Sequence, residues 1–280
     1  MIQEIAPHNY DNEYRPRKEK RTDYAIYVQD NKIAMWKEGE SYRMPTVAEF
    51  DELQLEGVGK YFYQYLFSID EMGFFLLKNV MADLPQNMGY CSGEIFRELK
   101  PDYMAFAGIT AMQMARFAKG HAYCGKCGSP MIHCEKERAY KCEACGTVDY
   151  PKISPAVIVA IRDNDKLLLT KYAYGEYKKY ALVAGFVEIG ESFEEAVERE
   201  VLEEVGLHIK NIRYYKSQPW SFTDTIMIGF FADLDGDCTI TRQEEELAEA
   251  LWMPREEIPE AERNISIGQE MIELFRNNSI

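Results

Sequence analysis

Three glutamates in the second half of the chain have the spacing of a metal-binding face. Glu200 and Glu204 are one helical turn apart and Glu203 lies beside them, so three like charges would crowd one side of a helix. Such a cluster needs cations. Its carboxylate oxygens suit Mg2+ or Mn2+, which favour phosphate oxygens as further ligands. With Arg199 placed to orient a carboxylate through a bidentate pair, the predicted chemistry is metal-dependent and acts on a phosphate-containing substrate.

A Glu-rich helix is more often only a solvated face, and we keep that interpretation for Glu194, Glu195 and Glu198. The three glutamates named first differ, because their spacing coincides with loop glycines and with Arg199. Solubility alone does not require that coincidence.

A second candidate metal site comes from cysteines. Four of the seven have the spacing C-x2-C-x14-C-x2-C; they are Cys124, Cys127, Cys142 and Cys145. Four thiolates complete a tetrahedral shell that suits Zn2+ and leave no position for water, so one structural zinc ion per chain is expected. Two disulfides or a redox dithiol are the alternative. The flanking His121 and His133 are not needed as ligands.

The elements that must position the glutamates can also be predicted. Ser192 and Glu195 have the form of a capping box, and Gly206 stands where a C-cap glycine would end the helix. The apolar segments around this helix predict strands in SPAVIVAI, KLLLTKYA, YALVAGFV, HIKNIRYYKS and TIMIGFFADL, and a final helix in SIGQEMIELFRNN. Strands interleaved with few helices indicate a layered α/β domain.

The earlier part of the chain is less informative. Residues 1–100 are interpreted as a small α+β domain with a β-hairpin from Tyr24 to Trp36 around the turn Gln29–Lys32. Residues 101–150 would hold a connector helix and the cysteine pairs, and residues 151–280 the α/β domain.

Composition limits the possible partners. Lys and Arg number 32 against 47 Asp and Glu, a net charge of −15 that argues against bulk attraction to a polyanion. Bound metal ions would locally reverse that field for an anionic substrate. No window approaches about 18 consecutive apolar residues, and the N-terminus lacks a signal-peptide core. A cytoplasmic protein with no membrane contact is expected.

The stretch from Gly185 to Leu207 fits the Nudix box, G-x5-E-x7-R-E-U-x-E-E-x-G-U with U aliphatic, at every fixed position. The chain therefore resembles the Nudix hydrolases, which implies an α/β/α sandwich. Two features are similar to the NADH pyrophosphatases of the NudC type within that family. One is the four-cysteine zinc ribbon directly before the domain. The other is the segment SQPWSFTDT at Ser217–Thr225, which resembles SQPWPFPxS.

This segment departs from the family pattern at three positions. Ser221 and Thr223 replace prolines, and Thr225 replaces a serine. The loss of two prolines should leave the loop less preorganised, whereas Thr225 keeps a hydroxyl. The resemblance covers roughly residues 100–280.

The resemblance implies hydrolysis of NADH or NAD+ to nicotinamide mononucleotide and AMP by a homodimer. It implies catalytic roles for Glu200, Glu203, Glu204 and Arg199. The Mg2+ or Mn2+ ligands would be Glu200 and Glu204, assisted by Glu203, Glu191 and Glu246, the last chosen over Glu244, Glu245 and Glu249. A base pocket would be formed by Ala184, Phe186, Trp220 and Gly268, with Tyr150 from a second copy. The other substrate-binding residues would be Gln218, Pro219, Ser221, Phe222, Thr223, Asp224 and Thr225.

Three questions stay open from the sequence. The proton of the attacking water could go to Glu203 or to a glutamate outside the helix. The substrate could be another diphosphate, such as ADP-ribose, a diadenosine compound or the NAD cap of an RNA. A non-catalytic nucleotide-sensing module is the alternative from a different class.

Overall fold

The structure is a computed structural model that describes residues 1–53, 62–78, 84–174, 179–261 and 263–279. The chain divides into two units, which we name by their contents. The sandwich unit is Met1, Ile153–Trp220 and Asp224–Ile280, and the ribbon unit is Ile2–Lys152 with Ser221–Thr223.

The described part of the ribbon unit holds three small sheets, with strand orders β1-β6-β7-β2, β3-β4-β5 with β8 beside β4, and β11-β10-β9. A short 3-10 helix, Gly93–Arg97, precedes the long helix α2. The elements are β1 (Tyr10–Asp11), β2 (Tyr24–Ile26), β3 (Val28–Gln29), β4 (Lys32–Glu38), β5 (Ser41–Arg43), α1 (Val47–Glu52), β6 (Phe62–Ile69), β7 (Met72–Lys78), β8 (Met88–Ser92), α2 (Asp102–Gly120), β9 (Met131–His133), β10 (Tyr140–Cys142) and β11 (Val148–Asp149).

The hairpin predicted from Tyr24 to Trp36 is correct only in its second half. β3 pairs antiparallel with β4 around Asp30 and Asn31, whose positive φ values of 48° and 58° suit a tight two-residue turn. β2 instead pairs in parallel with β7 in another sheet. The reason is burial, because β2 is largely enclosed and the apolar strand β7 supplies its partner. The connector helix predicted after Pro101 is confirmed as α2.

The sandwich unit is built on one mixed six-stranded sheet of order β15-β16-β12-β13-β17, with β14 beside β12. β12 and β16 run parallel, and the other pairs are antiparallel. The elements are β12 (Ser154–Asp163), β13 (Lys166–Tyr172), β14 (Val183–Phe186), α3 (Phe193–Val205), β15 (Ile209–Trp220), β16 (Thr225–Leu234), β17 (Leu247–Pro254) and α4 (Ile267–Arg276).

One helix covers each face of this sheet. Side chains alternate along β12, so Val157 and Val159 pack in the same core as α3, whereas Ile158 and Ala160 pack with α4. Each fully buried aliphatic side chain contributes about 1.5–3 kcal/mol. The predicted α/β/α sandwich is confirmed.

The helix that carries the glutamates begins and ends as predicted. Ser192 Oγ accepts a hydrogen bond from the N–H of Glu195, and the Glu195 side chain bonds back to the Ser192 N–H. Gly206 ends the helix with φ 69°. β14 is shorter than predicted, and β17 was not predicted as a strand. No helix in the described ranges is both long enough and apolar enough to span a bilayer.

Candidate active site

Arg199 is the centre of the acidic cluster. Its Nε and Nη2 donate to the two oxygens of Glu191 at 2.5 and 3.0 Å, which is the predicted bidentate pair. Its Nη1 donates to Glu200 Oε1 at 2.8 Å and to Glu203 Oε2 at 2.9 Å. Nη2 also donates to the Phe186 carbonyl at 2.9 Å. One guanidinium therefore fixes three carboxylates of the Nudix-box pattern and the end of β14.

Arg199 affects these carboxylates unequally. Its hydrogen bonds hold the pKa of Glu191 at about 2, so this group is charged under all ordinary conditions. For Glu200 burial prevails, and its pKa is raised despite the Arg199 pair. Glu191 is therefore a permanently charged partner of Arg199, whereas Arg199 only partly offsets the cost of burying the Glu200 carboxylate.

Glu204 is the most perturbed acid in the cluster. Its side chain is buried, and its Oε2 has no hydrogen-bond partner among the described residues. Burial, together with the nearby charges of Glu200 and Glu246, raises its pKa to about 8, against a hydrogen bond from the Ala184 backbone. An unpaired buried carboxylate is costly unless it binds a proton or a cation. The unpartnered oxygen therefore fits a ligand of Mg2+ or Mn2+.

Gly185 makes room for this arrangement. A Cβ at position 185 would lie 2.0 Å from Cδ of Glu200, closer than any real contact. A side chain at position 185 would therefore displace the Glu200 carboxylate from its position over the β14 backbone.

Of the four later acids considered as ligands, Glu246 is placed best. Its charge acts on both Glu200 and Glu204. Glu249 pairs instead with Lys171 at 2.6 Å, and Glu244 contacts Arg242 at 3.4 Å. Glu246 lies just before β17, and its role as a metal ligand stays a prediction.

The predicted base-pocket residues lie in several parts of the structure. Ala184 and Phe186 are bonded to the acidic cluster through their backbones, and the Phe186 side chain is 54% exposed. Gly268 lies in the first turn of α4 and packs closely on β12, since a Cβ there would lie 2.9 Å from Cδ1 of Ile158. Tyr150 is in the ribbon unit, 59% exposed, and its hydroxyl donates to Glu137 at 2.5 Å.

The SQPW segment forms the end of β15 and its turn into β16. Gln218 is fully buried, and both ends of its amide bond to backbone groups at Ile265 and Ile267. Pro219 is exposed and Trp220 half-buried. Thr225 Oγ1 donates to the Trp220 carbonyl at 3.5 Å, so the hydroxyl that replaces serine still bonds within the turn.

The turn residues Ser221–Thr223 belong to the ribbon unit and are held there by two arginines. Arg116 of α2 donates to the Ser221 carbonyl, and the guanidinium of Arg97 lies 4.5 Å from the centre of the Phe222 ring. Sequence reasoning missed both arginines, because nothing local connects them to a segment about a hundred residues later. These contacts order a loop that lacks the family prolines.

The four cysteines form the predicted cluster. Their Sγ atoms all lie within 4.8 Å of one another, with 3.6 Å between Cys124 and Cys145 and 3.5 Å between Cys127 and Cys142. A Zn–S bond of about 2.3 Å puts tetrahedral sulfurs about 3.8 Å apart, whereas a disulfide needs about 2.05 Å. The cluster therefore fits a metal ion and excludes the alternative of two disulfides in this structure.

Two hydroxyl residues tune the cluster. The Thr147 hydroxyl, 3.2 Å from the Cys145 sulfur, lowers the pKa of that thiol to about 6, and Ser129 lowers the pKa of Cys127. These two shifts favour the thiolate forms of Cys145 and Cys127, which are the forms that bind zinc. Against a backbone hydrogen bond from Cys145, burial and the contacts with Cys127 and Cys145 raise the pKa of Cys142 to about 11, so the shifts do not favour the thiolate at every position. Neither flanking histidine joins the cluster, since His121 Nδ1 contacts the Phe117 carbonyl at 2.8 Å and His133 Nε2 contacts the Tyr14 hydroxyl at 3.3 Å.

The sandwich and its acidic helix match a known domain. Residues 152–275 match the model of the NUDIX domain.

The relatives match a similar part of the chain. The NAD-capped RNA hydrolase NudC of Mannheimia succiniciproducens is 43% identical over 170 residues, which are 58% of this chain and 63% of the relative. The protein of that name from Shigella dysenteriae serotype 1 is 44% identical over 149 residues, 53% of this chain and 57% of the relative. The chain thus spans less than two thirds of the length of these relatives. A NUDIX hydrolase structure from Nitrosomonas europaea aligns with TM-score 0.49 and 25% identity, over 56% of this chain and 92% of that one.

Proposed function

We propose that the protein hydrolyses the pyrophosphate bond of NADH or NAD+ to nicotinamide mononucleotide, reduced or oxidised, and AMP. The observation that carries the proposal is the buried Oε2 of Glu204, which lies in a carboxylate cluster and has no hydrogen-bond partner in the described part of the chain. Arg199, the cation bonded within that cluster, is already committed to three other carboxylates. A further cation is needed, and it would bring phosphate oxygens with it.

Within this proposal, Glu200, Glu204 and Glu246 hold Mg2+ or Mn2+. Bound there, the metal would neutralise pyrophosphate oxygens and lower the pKa of a water that attacks phosphorus. Arg199 keeps Glu200 and Glu203 in fixed orientations, and Glu191 balances the Arg199 charge. No covalent enzyme intermediate is required.

We propose Glu203 as the group that takes the proton from the attacking water. Its side chain is 55% exposed, so it is open to solvent, and its one described ion-pair partner is Arg199. Glu203→Gln should lower kcat about 10²–10⁴-fold, the range for lost general-base catalysis. Metal affinity should change little in that variant. A parallel loss of metal affinity would instead make Glu203 a ligand.

The substrate assignment rests on the SQPW segment and on the relatives. Phe186 and Trp220 supply aromatic faces that stack on nicotinamide or adenine regardless of hydrogen-bond pattern. The direct experiment incubates the purified protein with NADH and Mg2+ and identifies the products by mass. Glu204→Gln should abolish their formation, whereas Glu198→Gln, exposed on the same helix, should not. Turnover of ADP-ribose without turnover of NADH or NAD+ would overturn the substrate, and no turnover of any diphosphate would overturn the enzyme.

NAD-capped RNA is a second candidate substrate, because the relatives carry that name. Cleavage would break the same pyrophosphate bond, so the site chemistry is unchanged. With a net charge of −15, the chain offers little general attraction to RNA. We therefore expect kcat/KM for a capped oligonucleotide to exceed that for NADH only if the protein also binds the RNA body. In that case the ratio of the two kcat/KM values should fall as the salt concentration is raised.

The site is further proposed to be completed in a homodimer by Tyr150 of a second copy. Its exposed ring is available to stack on a base. Glu204→Gln and Tyr150→Ala proteins should each be impaired, and a mixture should regain activity because a mixed dimer holds one intact site. No recovery after subunit exchange would contradict the shared site.

A further inference from the structure

A buried glutamine joins strand β15 to the start of helix α4. Gln218 is 0% exposed, its Oε1 accepts the Ile267 N–H at 2.6 Å, and its Nε2 donates to the Ile265 carbonyl at 2.9 Å. Both isoleucines are buried, so these backbone groups have no free access to solvent. The side chain of Gln218 therefore satisfies two main-chain groups that α4 itself cannot satisfy.

The other hydrogen bonds at this helix start stay within the segment. Ser266 Oγ accepts from the Gln269 N–H at 3.3 Å, and Gln269 Oε1 accepts from the Ile265 N–H at 3.2 Å. They shape the first turn but do not place it on the sheet. The Gln218 pair does place it, because it connects the turn to a neighbouring strand.

This connection lies between two walls of the proposed base pocket. Trp220 is two residues after Gln218 on β15, so the two side chains lie on the same face of the strand. Gly268 directly follows Ile267, and its backbone packs closely on Ile158, since a Cβ there would lie 2.9 Å from Cδ1 of that residue. The hydrogen-bonded pair thus sets the position of the Gly268 backbone relative to the strand that carries Trp220.

We infer that Gln218 is a positioning residue for dinucleotide binding, which acts by holding residues 265–268 and does not contact the substrate. The inference rests on the proposed function, since it concerns the same base pocket. Gln218 therefore connects strand β15 to helix α4, because its amide oxygen and its amide nitrogen both bond to backbone groups at the start of that helix.

The test is a comparison of Gln218→Met with Met271→Ala. Methionine keeps the length of the side chain but removes both hydrogen bonds, whereas Met271 is buried one turn further along α4 and makes none of them. Gln218→Met should raise KM for NADH about five- to ten-fold with a smaller change in kcat. The Mg2+ activation constant should not change. Met271→Ala should lower thermal stability at least as much and leave KM near that of the wild type.

Gln218→Glu is a milder variant in case the methionine protein does not fold. A protonated carboxyl offers an acceptor and a donor in nearly the same places. Its KM, relative to wild type at the same pH, should therefore fall as the pH is lowered. A constant ratio would count against the role of the two hydrogen bonds.

Hydrogen exchange without substrate separates failure of this inference from failure of the proposed function. Amides in residues 263–268 should exchange faster in Gln218→Met than in the wild type. Unchanged exchange, or a loss of kcat with KM unaltered, would overturn the positioning role. A wild-type protein that cleaves no dinucleotide would overturn the proposed function. Hydrogen exchange and calorimetric NADH binding, each compared between the wild type and Gln218→Met, would then still test whether Gln218 positions the pocket.

Discussion

The two anionic clusters of this chain differ in how their negative charge can be compensated. In the ribbon unit, four sulfurs lie within 4.8 Å of one another and can supply all four ligands of a tetrahedral ion. In the sandwich unit, carboxylates gather around Arg199, yet one oxygen of Glu204 is buried with no partner in the described chain. The closed set suits an ion that stabilises a fold, and the open set suits an ion that shares its coordination with a substrate.

The difference also appears in how the ligands are brought together. The cysteines come from two short turns within 22 consecutive residues, Cys124 to Cys145, around a three-stranded sheet that is too small to have a large core. The carboxylates come from α3 and from the segment before β17, and a long apolar core holds these elements in place. Removing the metal should therefore unfold the first site and only inactivate the second.

The largest effect should follow loss of a cysteine ligand. Cys142→Ser should remove most of the zinc-dependent folding energy of the ribbon, which reaches about 10 kcal/mol for small structural zinc sites. We expect loss of one zinc ion per chain by elemental analysis and protease cleavage within residues 122–150. Cys238→Ser, at an exposed cysteine outside the cluster, is the control. A fully folded, zinc-free Cys142→Ser ribbon would contradict the comparison.

The second effect is a pH dependence that belongs to the carboxylate site. Because the pKa of Glu204 is raised to about 8, the folded protein binds this proton more tightly than the unfolded chain does. The resulting stability is fully present below the unfolded pKa of about 4.5 and is lost as the pH rises through about 8. Without Mg2+, the free energy of unfolding of the wild type, measured relative to that of Glu204→Gln, should fall by a few kcal/mol over this window.

Saturating Mg2+ should restore the stability lost at high pH, since it replaces the proton as counter-charge. A wild type and a Glu204→Gln variant with parallel pH curves would show that Glu204 is not the responsible group.

A third effect should follow replacement of the central arginine. Arg199→Lys keeps the charge but loses the bidentate pair and the simultaneous contacts to three carboxylates. We expect kcat/KM for NADH to fall about 10²-fold, as is typical for a lost charge-stabilising contact in an active site. Arg162→Lys breaks a comparable arginine pair with Asp233 in the same unit and should cost much less. Equal losses of kcat/KM in both variants would show that Arg199 has no specific role in the site.

The smallest effect concerns the loop that lacks prolines. Arg116→Met removes the bond to the Ser221 carbonyl and should raise KM for NADH about three-fold. Adding Ser221→Pro should reverse part of this rise by stiffening the loop backbone. An unaltered KM in the single variant would mean that the loop is ordered without Arg116.

The sequence was most informative where local pattern decides structure. The α3 capping box, Gly206 and the clustering of the four cysteines followed from spacing, because helix ends and C-x-x-C turns depend on neighbouring residues. β2 could not be predicted to leave its hairpin, since its partner β7 is about fifty residues away.

Within the site, residue types and spacing identified the carboxylates but not their states. That Glu204 is buried while Glu203 is exposed, and that Gln218 bonds to the start of α4, depends on packing between distant segments. Arg97 and Arg116 were missed for the same reason.

The central claim is that the unpartnered oxygen of Glu204 binds a divalent metal. Calorimetric titration with Mn2+, at a pH below about 8 and in two buffers of different ionisation enthalpy, measures affinity and proton release together. The wild type and Glu198→Gln should bind Mn2+ with the same affinity and release close to one proton. Glu204→Gln should bind at least about ten-fold more weakly and release almost none. Wild-type affinity in Glu204→Gln would contradict the account.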